Sequence, residues 1–326
     1  MPQQRSPARP ISTRSRPIAI VAAIPALAGF GRVGRSAVAG ESRLSVVATT
    51  GQVGDLARNI GGEHVNVNAL MGPGVDPHLF KASEQDVIAL IDSDIIMYSG
   101  LHLEGTLGEV LEQASKRIPV SEVADGVPVD QLIQPEDDAF DGNPDPHFWF
   151  DPTLWAHAAD EAARALAEVD GANAESYRLN ADAYKAQLLD LDVYATEQFE
   201  RVPAQSRVLV TAHDAFGYLG RQYGLDVVGL QGISTATEAG VRDVQSIADL
   251  LVASEVPAIF VETSVPQRTI EAVQVAANDR GWEVTIGGSL YSDAMGDADT
   301  DEGTYLGMMR YDIDTIVAGL TGEETE

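Results

Sequence analysis

The sequence predicts an α/β protein with two α/β lobes, each around a mostly parallel sheet, joined by one long helix. Three observations support this fold class. A continuous helical pattern covers 173–202, strands and helices alternate on both sides of it, and 326 residues suit two units at a prior of about 150 residues per domain. The predicted domains are a signal peptide (1–39), an N-terminal lobe (40–172), the linking helix (173–202) and a C-terminal lobe (203–326).

Residues 1–39 predict a secretory signal peptide. They contain six basic residues and no acidic residue, an apolar run over 18–30 that is too short to span a bilayer, and Ala37-Val38-Ala39 as a cleavage site. Because Arg32 and Arg35 after the run are atypical of a signal, a disordered basic arm is the alternative. From the signal we expect a periplasmic or otherwise extracytoplasmic protein. The chain has no cysteine that a lipid could modify, so we also expect that it is not a lipoprotein.

The chain is strongly acidic. It has 50 Asp and Glu against 21 Lys and Arg, a net charge of −29. Residues 40–326 keep 15 of the basic residues and all of the acidic ones, which leaves −35. Nucleic acid and anionic membranes are therefore poor partners, because their phosphates would be repelled. Many carboxylates with few lysines also resemble the composition of proteins adapted to high salt.

The N-terminal lobe is predicted to alternate strands and helices, as parallel sheets covered by helices do. The candidate strands are 44–48, 65–70, 94–98 and 118–120, and the helical stretches are 53–60, 84–91 and 105–114. Ser83 and Asp86 have the spacing of a capping box. Asp151 and Pro152 supply an N-cap and a first-turn proline for a helix that ends near Glu168.

The linking helix is predicted from a single apolar stripe on an otherwise polar segment. The stripe consists of Tyr177, Ala181, Tyr184, Leu188, Leu191, Ala195, Phe199 and Val202. Asn173 is the expected N-cap and Pro203 the expected stop. At 1.5 Å per residue the helix would be about 42 Å long, enough to connect two lobes rigidly. A long amphipathic helix inside one domain is the alternative.

The C-terminal lobe repeats the alternation of strands and helices. Its candidate strands are 207–211, 226–230, 258–261 and 282–286, and its candidate helices are 216–223, 241–253, 267–277 and 304–320. The two lobes therefore have a similar layout.

Four loops that follow candidate strands each carry a potential metal ligand, two before the linking helix and two after it. These residues are His78, His147, His213 and Asp293. In open α/β sheets ligands bind beyond the carboxyl ends of the strands, so the four loops would converge if the lobes face each other. The wide spacing between the four residues does not by itself establish a metal site.

Local sequence supports the two N-terminal histidines. A proline precedes each of them and limits the backbone, and Asp76 and Asp145 are placed to orient the imidazoles. The alternatives are ordinary surface histidines, with Asp214 as a helix cap and Asp293 as a turn residue. Glu262 either supports a ligand or is merely polar, and the role of the polar loop 234–238 is open.

Several segments closely resemble the zinc and manganese substrate-binding proteins of ABC importers, over nearly the whole chain after the signal. The matching segments are GPGVDPH (72–78), DPHFWFDP (145–152), VTAHDAFGY (210–218), and LYSDAMG (290–296) followed by EGTY (302–305). The resemblance implies two α/β lobes joined by a single long helix, with the metal between them. It implies His78 and His147 as ligands from the first lobe, and His213 and Asp293 from the second.

The resemblance also bears on the cargo and on the other histidines. It implies Mn²⁺ or Zn²⁺ as the transported ligand, with Fe²⁺ also compatible. Zinc-specialised members often have a histidine-rich loop and a disulfide, and their absence here favours manganese or mixed-metal members. His64, His102 and His157 match no ligand position of the family and are expected to be structural or surface residues.

The predicted function is capture of a divalent metal outside the cytoplasm and delivery to an ABC permease, by a monomer that catalyses no reaction. Three imidazoles and a carboxylate nearly fill a coordination sphere, whereas hydrolytic zinc sites keep one position open. One alternative is a metallohydrolase that uses the same three His and one Asp, which would need a general base beside the metal. The other is a receptor for an organic metal chelate, which would want an aromatic-lined pocket, and only 6% of the residues are aromatic.

Overall fold

The computed structural model describes residues 43–135, 140 and 142–323. The predicted signal peptide over 1–39 lies outside these residues, as does part of the acidic loop before Asp145. Within the described ranges, no helix combines the length and the apolar character that a membrane crossing requires.

Before the long helix, four parallel strands form one sheet in the spatial order β2-β1-β3-β4. The strands are β1 (Leu44–Ala48), β2 (Val65–Ala69), β3 (Ile95–Tyr98) and β4 (Val120–Glu122), and the helices between them are α1 (Gly51–Gly61), α2 (Glu84–Ile91) and α3 (Gly108–Ser115). The chain passes from β1 to β2 on one side of β1, and then crosses to β3 on the other side of β1. The carboxyl ends of β1 and β3 therefore flank a topological switch point.

After the long helix, two further pairs of parallel strands follow. The pairs are β5 (Val208–His213) with β6 (Asp226–Gln231), and β7 (Ala258–Glu262) with β8 (Thr285–Leu290). The helices are α6 (Gly217–Tyr223), α7 (Val241–Ala253), α8 (Arg268–Asn278) and α9 (Tyr305–Thr321). β5 also packs beside β7. The predicted fold class, an α/β protein with parallel sheets on either side of one long helix, is confirmed.

Two strands lie later in the chain than predicted. The backbone N–H of Ile118 donates to the carbonyl of Ala114, so this residue still belongs to the turn that ends α3, and β4 starts at Val120. The side chain of Trp282 donates to the carbonyl of Val256 and fills the turn before β8. The strand itself contains Gly287 and Gly288, which weaken the apolar pattern that marks a strand.

The long helix is α5 (Ala174–Glu200), preceded by α4 (Pro152–Val169). The predicted capping box of Ser83 and the N-cap of Asp151 are confirmed. Asn173 occupies the N-cap position as predicted, but its side chain makes no capping hydrogen bond to the first turn and instead donates to Asp170 at 2.7 Å.

α5 packs against α1 and α4 from the first half of the chain and against α9 from the second. All eight residues of its predicted stripe are buried, and they belong to a hydrophobic cluster that includes residues of both halves. Full burial of one large apolar side chain contributes about 1.5–3 kcal/mol, so burial of the stripe helps to hold the two halves together.

Candidate metal centre

His78 lies in the loop that follows β2. The preceding Asp76 accepts the backbone N–H of His78 at 2.8 Å through its Oδ1 atom. Pro77 between them fixes one backbone angle, so the Asp-Pro-His segment forms a closed local turn. The side chain of His78 is 2% exposed, and its Nε2 atom points to the other candidate ligands.

His147 is held more tightly by its own Asp-Pro-His segment. Oδ1 of Asp145 accepts the backbone N–H of His147 at 2.9 Å and lies 2.7 Å from its ring Nδ1. Tyr218 of α6 donates to the backbone carbonyl of Asp145 at 2.8 Å. The next residues, Phe148 and Trp149, are fully buried, so the histidine is followed directly by an anchored aromatic segment.

His213 is the last residue of β5, and Glu262 is the last residue of the neighbouring β7. The Glu262 carboxylate accepts the backbone N–H of His213 at 2.8 Å and contacts the ring Nδ1 at 2.5 Å. Glu262 therefore orients this imidazole, which answers the question that the sequence left open. This contact joins the two strand pairs at the site, where β7 packs beside β5.

Asp293 lies three residues beyond the end of β8 and is buried. Its Oδ1 is 3.3 Å from Nε2 of His147, and its Oδ2 is 3.3 Å from Nε2 of His213 and 3.8 Å from Nε2 of His78. The Nε2 atoms of His78 and His147 are 3.4 Å apart. The structure thus brings together all four sequence-predicted site residues, with one ligand atom of each within 4.8 Å of the others.

These distances fit a bound transition metal. A tetrahedral zinc ion with bonds of about 2.0–2.1 Å holds its ligand atoms about 3.3–3.4 Å apart. Both carboxylate oxygens of Asp293 and Nε2 of His213 are buried without a hydrogen-bond partner among the described residues. Buried polar atoms normally have a partner, and a cation at the centre would supply it. The second oxygen of Asp293 also allows the higher coordination numbers that suit Mn²⁺.

The charged groups of the site shift one another's pKa values. Burial lowers the pKa of His78 to about 3 despite the nearby Asp293. Burial also disfavours protonation of His147, but the carboxylates of Asp145 and Asp293 prevail and raise its pKa to about 9. The pKa of His213 is raised well above its usual value because Glu262 and Asp293 outweigh its burial.

Asp293 is the carboxylate that all three imidazoles share. Burial alone would raise its pKa, but His213 and the other two histidines hold it well below the usual range. Because Asp293 stays ionised, the centre attracts positive charge, whether protons on imidazole or a metal cation. Protons and a metal ion therefore compete for the same nitrogen atoms.

The remaining candidates lie outside this group of four. His64, His102 and His157 are not part of it, and the predicted role of Asp214 as a helix cap is wrong, because the residue before α6 is Phe216. Sequence reasoning missed Thr235 of the loop 234–238, which donates a hydrogen bond to Asp76 across 159 residues of chain. No local signal marks a contact between residues so far apart.

Comparison with known proteins gives consistent results. The family profile described as ZnuA, zinc-uptake complex component A, periplasmic, matches residues 46–319. The manganese-binding lipoprotein MntA of Bacillus subtilis is 47% identical over 305 residues, covering 93% of this chain and 97% of that protein. The zinc-binding protein TroA of Treponema pallidum is 44% identical over 308 residues, which cover 94% of this chain and 99% of that protein.

The solved structure of the periplasmic zinc-binding protein TroA from Treponema pallidum has a similar fold. It superposes with a TM-score of 0.82 at 44% identity, covering 85% of this chain and 99% of that one.

One prediction is contradicted by these relatives. The expectation that the protein is not a lipoprotein is wrong, because MntA and further relatives are named lipoproteins. The expectation depended on the lack of cysteine in the printed sequence. A residue count bears on one chemistry of lipid attachment and does not establish how a protein is retained at a membrane.

Proposed function

We propose that this protein captures a divalent transition metal for import, on the premise that the chain belongs to the family of ZnuA, the periplasmic component A of zinc-uptake complexes. Its relatives MntA and TroA are named for binding manganese and zinc. The protein is the substrate-binding component of an ABC importer for Mn²⁺ or Zn²⁺, and the metal is its cargo.

One observation carries the assignment to this site. Three imidazole nitrogens and a carboxylate converge in a buried centre, and three of the converging atoms have no hydrogen-bond partner among the described residues. We propose His78, His147, His213 and Asp293 as the metal ligands. The first two come from the half of the chain before α5 and the other two from the half after it.

The arrangement supports binding rather than catalysis. A hydrolytic zinc site keeps a position open for water and has a carboxylate beside it to act as a general base. Here three of the neighbouring carboxylates are engaged with the proposed ligands, since Asp145 contacts His147, Glu262 contacts His213 and Asp76 accepts from the backbone of His78. We therefore propose that the protein is not an enzyme.

The family implies a membrane permease as the partner that receives the metal. We propose that the protein acts outside the cytoplasm as a monomer and does not bind nucleic acid, which the net charge of −29 would repel. We also keep the division proposed from the sequence, with 1–39 as a signal peptide, 40–172 and 203–326 as the two lobes, and 173–202 as the linking segment.

The test is replacement of the one charged ligand. Asp293→Ala removes the carboxylate that faces all three imidazoles, and we expect affinity for Mn²⁺ and Zn²⁺ measured by calorimetry to fall at least a hundredfold. Asp299→Ala is the matched control, because Asp299 is an exposed carboxylate on the same loop. If circular dichroism shows a folded protein, unchanged affinity in Asp293→Ala would refute the proposal that the metal binds at this site.

A further inference from the structure

The loop between β6 and α7 makes a polar contact with the loop that carries His78. The hydroxyl of Thr235 donates to Oδ2 of Asp76 at 2.5 Å. Thr235 is 7% exposed, whereas the next three residues of the loop, 236–238, are exposed. Ser234 accepts the backbone N–H of Ala236 at 3.2 Å, which forms a local turn around Thr235. The hydroxyl is thus directed inward from an otherwise exposed loop.

Asp76 connects this hydroxyl to the proposed ligand. Its Oδ2 accepts from Thr235, and its Oδ1 accepts the backbone N–H of His78 at 2.8 Å. One carboxylate therefore joins the backbone of a ligand in the first half of the chain to a side chain in the second half. The same loop approaches the second half at Gly74 as well, where a Cβ atom would lie 3.4 Å from the carbonyl oxygen of Thr263.

His78 depends on this connection more than the other two histidines depend on theirs. The ring Nδ1 of His147 is held by Asp145, and that of His213 by Glu262. In the described part of the chain, no carboxylate contacts Nδ1 of His78. Its position is therefore set through its backbone, and the backbone is held by Asp76.

We propose that Thr235 is a positioning residue for His78, acting through Asp76, and that it slows the release of bound metal. This inference rests on the proposed function, since it assumes that His78 is a ligand. A hydrogen bond to a charged acceptor is among the stronger ones in proteins. Without it, the loop that carries Thr235 and the loop that carries His78 separate more often. Because the bond acts on a ligand already in place, it affects dissociation more than association.

The experiment compares Thr235→Val, which keeps the shape and removes the hydroxyl, with Thr235→Ser, which keeps the hydroxyl. Each variant is loaded with Mn²⁺ or Zn²⁺ and mixed with excess chelator in a stopped-flow instrument. We expect the dissociation rate to rise about tenfold in Thr235→Val and to stay within about twofold of the original in Thr235→Ser, with association changed less than twofold in both. Rescue by serine would separate the hydrogen bond from packing of the side chain.

Two further variants complete the design. Thr237→Val is the matched control, because Thr237 is exposed on the same loop and should leave both rates unchanged. In an Asp76→Ala background, Thr235→Val should have no further effect, since the acceptor is already gone. An unchanged dissociation rate in Thr235→Val, or equal acceleration of association and dissociation, would overturn the proposal.

The proposal and the metal site can fail separately. If Asp293→Ala abolishes binding while Thr235→Val releases metal at the original rate, the site stands and the role of Thr235 is refuted. If Asp293→Ala binds normally, the site itself is refuted.

Discussion

Asp145 and Glu262 select the nitrogen that each imidazole presents to the centre. The carboxylate oxygens accept hydrogen bonds, so the ring nitrogen beside each of them carries a proton. Nδ1 of His147 and Nδ1 of His213 therefore keep their protons, so Nε2, which faces Asp293, is the nitrogen left to bind either a proton or a metal ion. These contacts fix the direction of both rings and the choice of Nε2 as the ligand atom, while any proton on Nε2 has to leave when a metal binds.

A second buried carboxyl, Asp312 of α9, gives a prediction at the residue scale. It accepts the backbone N–H of Tyr291 at 2.9 Å through Oδ1, while Oδ2 has no hydrogen-bond partner among the described residues. Burial, with a further contribution from Glu262, raises the pKa of Asp312 well above its usual value. The folded protein therefore holds a proton on this group at pH values where the unfolded chain has released it.

The raised pKa fixes the sign of the effect. Stability contributed by the neutral carboxyl is complete below about pH 4, the value for an unfolded aspartate, and is lost as pH rises toward the folded pKa. Asp312→Asn is neutral at every pH. The free energy of unfolding of this variant should therefore increase relative to that of the original protein as the pH rises from 4.5 to 8. Urea titrations of the metal-free protein would measure this, with the exposed Asp190→Asn as the control. A constant difference across this range would show that Asp312 is ionised in the folded state.

Some residue contacts were predictable and others were not. Asp145 lies two residues before His147, and its role followed from that spacing. Glu262 is 49 residues from His213, and the contact exists only because β7 packs beside β5. Thr235 and Asp76 are 159 residues apart. Local sequence reports neighbours along the chain, and it contains no information about which strands become neighbours in space.

At the scale of elements, periodicity predicted the helices better than the strands. The apolar stripe of α5 was predicted residue by residue, because a period of 3.6 over many turns leaves a strong pattern. β8 was placed too early, because Gly287 and Gly288 interrupt its apolar run and Trp282 precedes it in a turn. A short strand with glycines has too few side chains to define its own limits.

Two adjacent leucines of α5 test how much the stripe stabilises the protein. Leu188 is 1% exposed and belongs to the large hydrophobic cluster, whereas Leu189 is 61% exposed. Leu188→Ala should lower the free energy of unfolding by about 2–5 kcal/mol, since it removes buried methyl groups and leaves a cavity. Leu189→Ala has the same chemistry and helix propensity at an exposed position, and should change stability by less than about 0.5 kcal/mol. Urea denaturation of the pair would decide, and equal losses would contradict the assignment of the buried face.

For the whole molecule, topology predicted part of the site. The ligand-bearing loops were expected beyond the carboxyl ends of the strands, as in other open α/β sheets. That loops from both halves meet at one centre did not follow from periodicity or spacing. It came from the resemblance of segments such as 72–78 and 210–218 to a known family. The meeting depends on burial of the α5 stripe against both halves, and no single segment encodes that.

The acidity of the chain gives the prediction that belongs to the molecule as a whole. With a net charge of −29, like charges repel across the compact protein. The Debye length is about 30 Å at 0.01 M salt and about 3 Å at 1 M, so this repulsion acts over the whole molecule in the first case and between nearest neighbours in the second. Melting temperature should therefore rise as KCl increases from 0.01 to 1 M.

The same screening should slow the capture of metal, because an acidic surface attracts divalent cations over long range only when salt is low. The association rate is expected to fall over this KCl range, while the buried site keeps most of its affinity.

Measurements at pH 4.5 provide the control for the melting temperature, because the sequence pI of about 4.3 leaves little net charge there and salt should then have little effect on the melting temperature. A melting temperature at pH 7 that stays level or declines with KCl would refute the view that the acidity is an adaptation to salt.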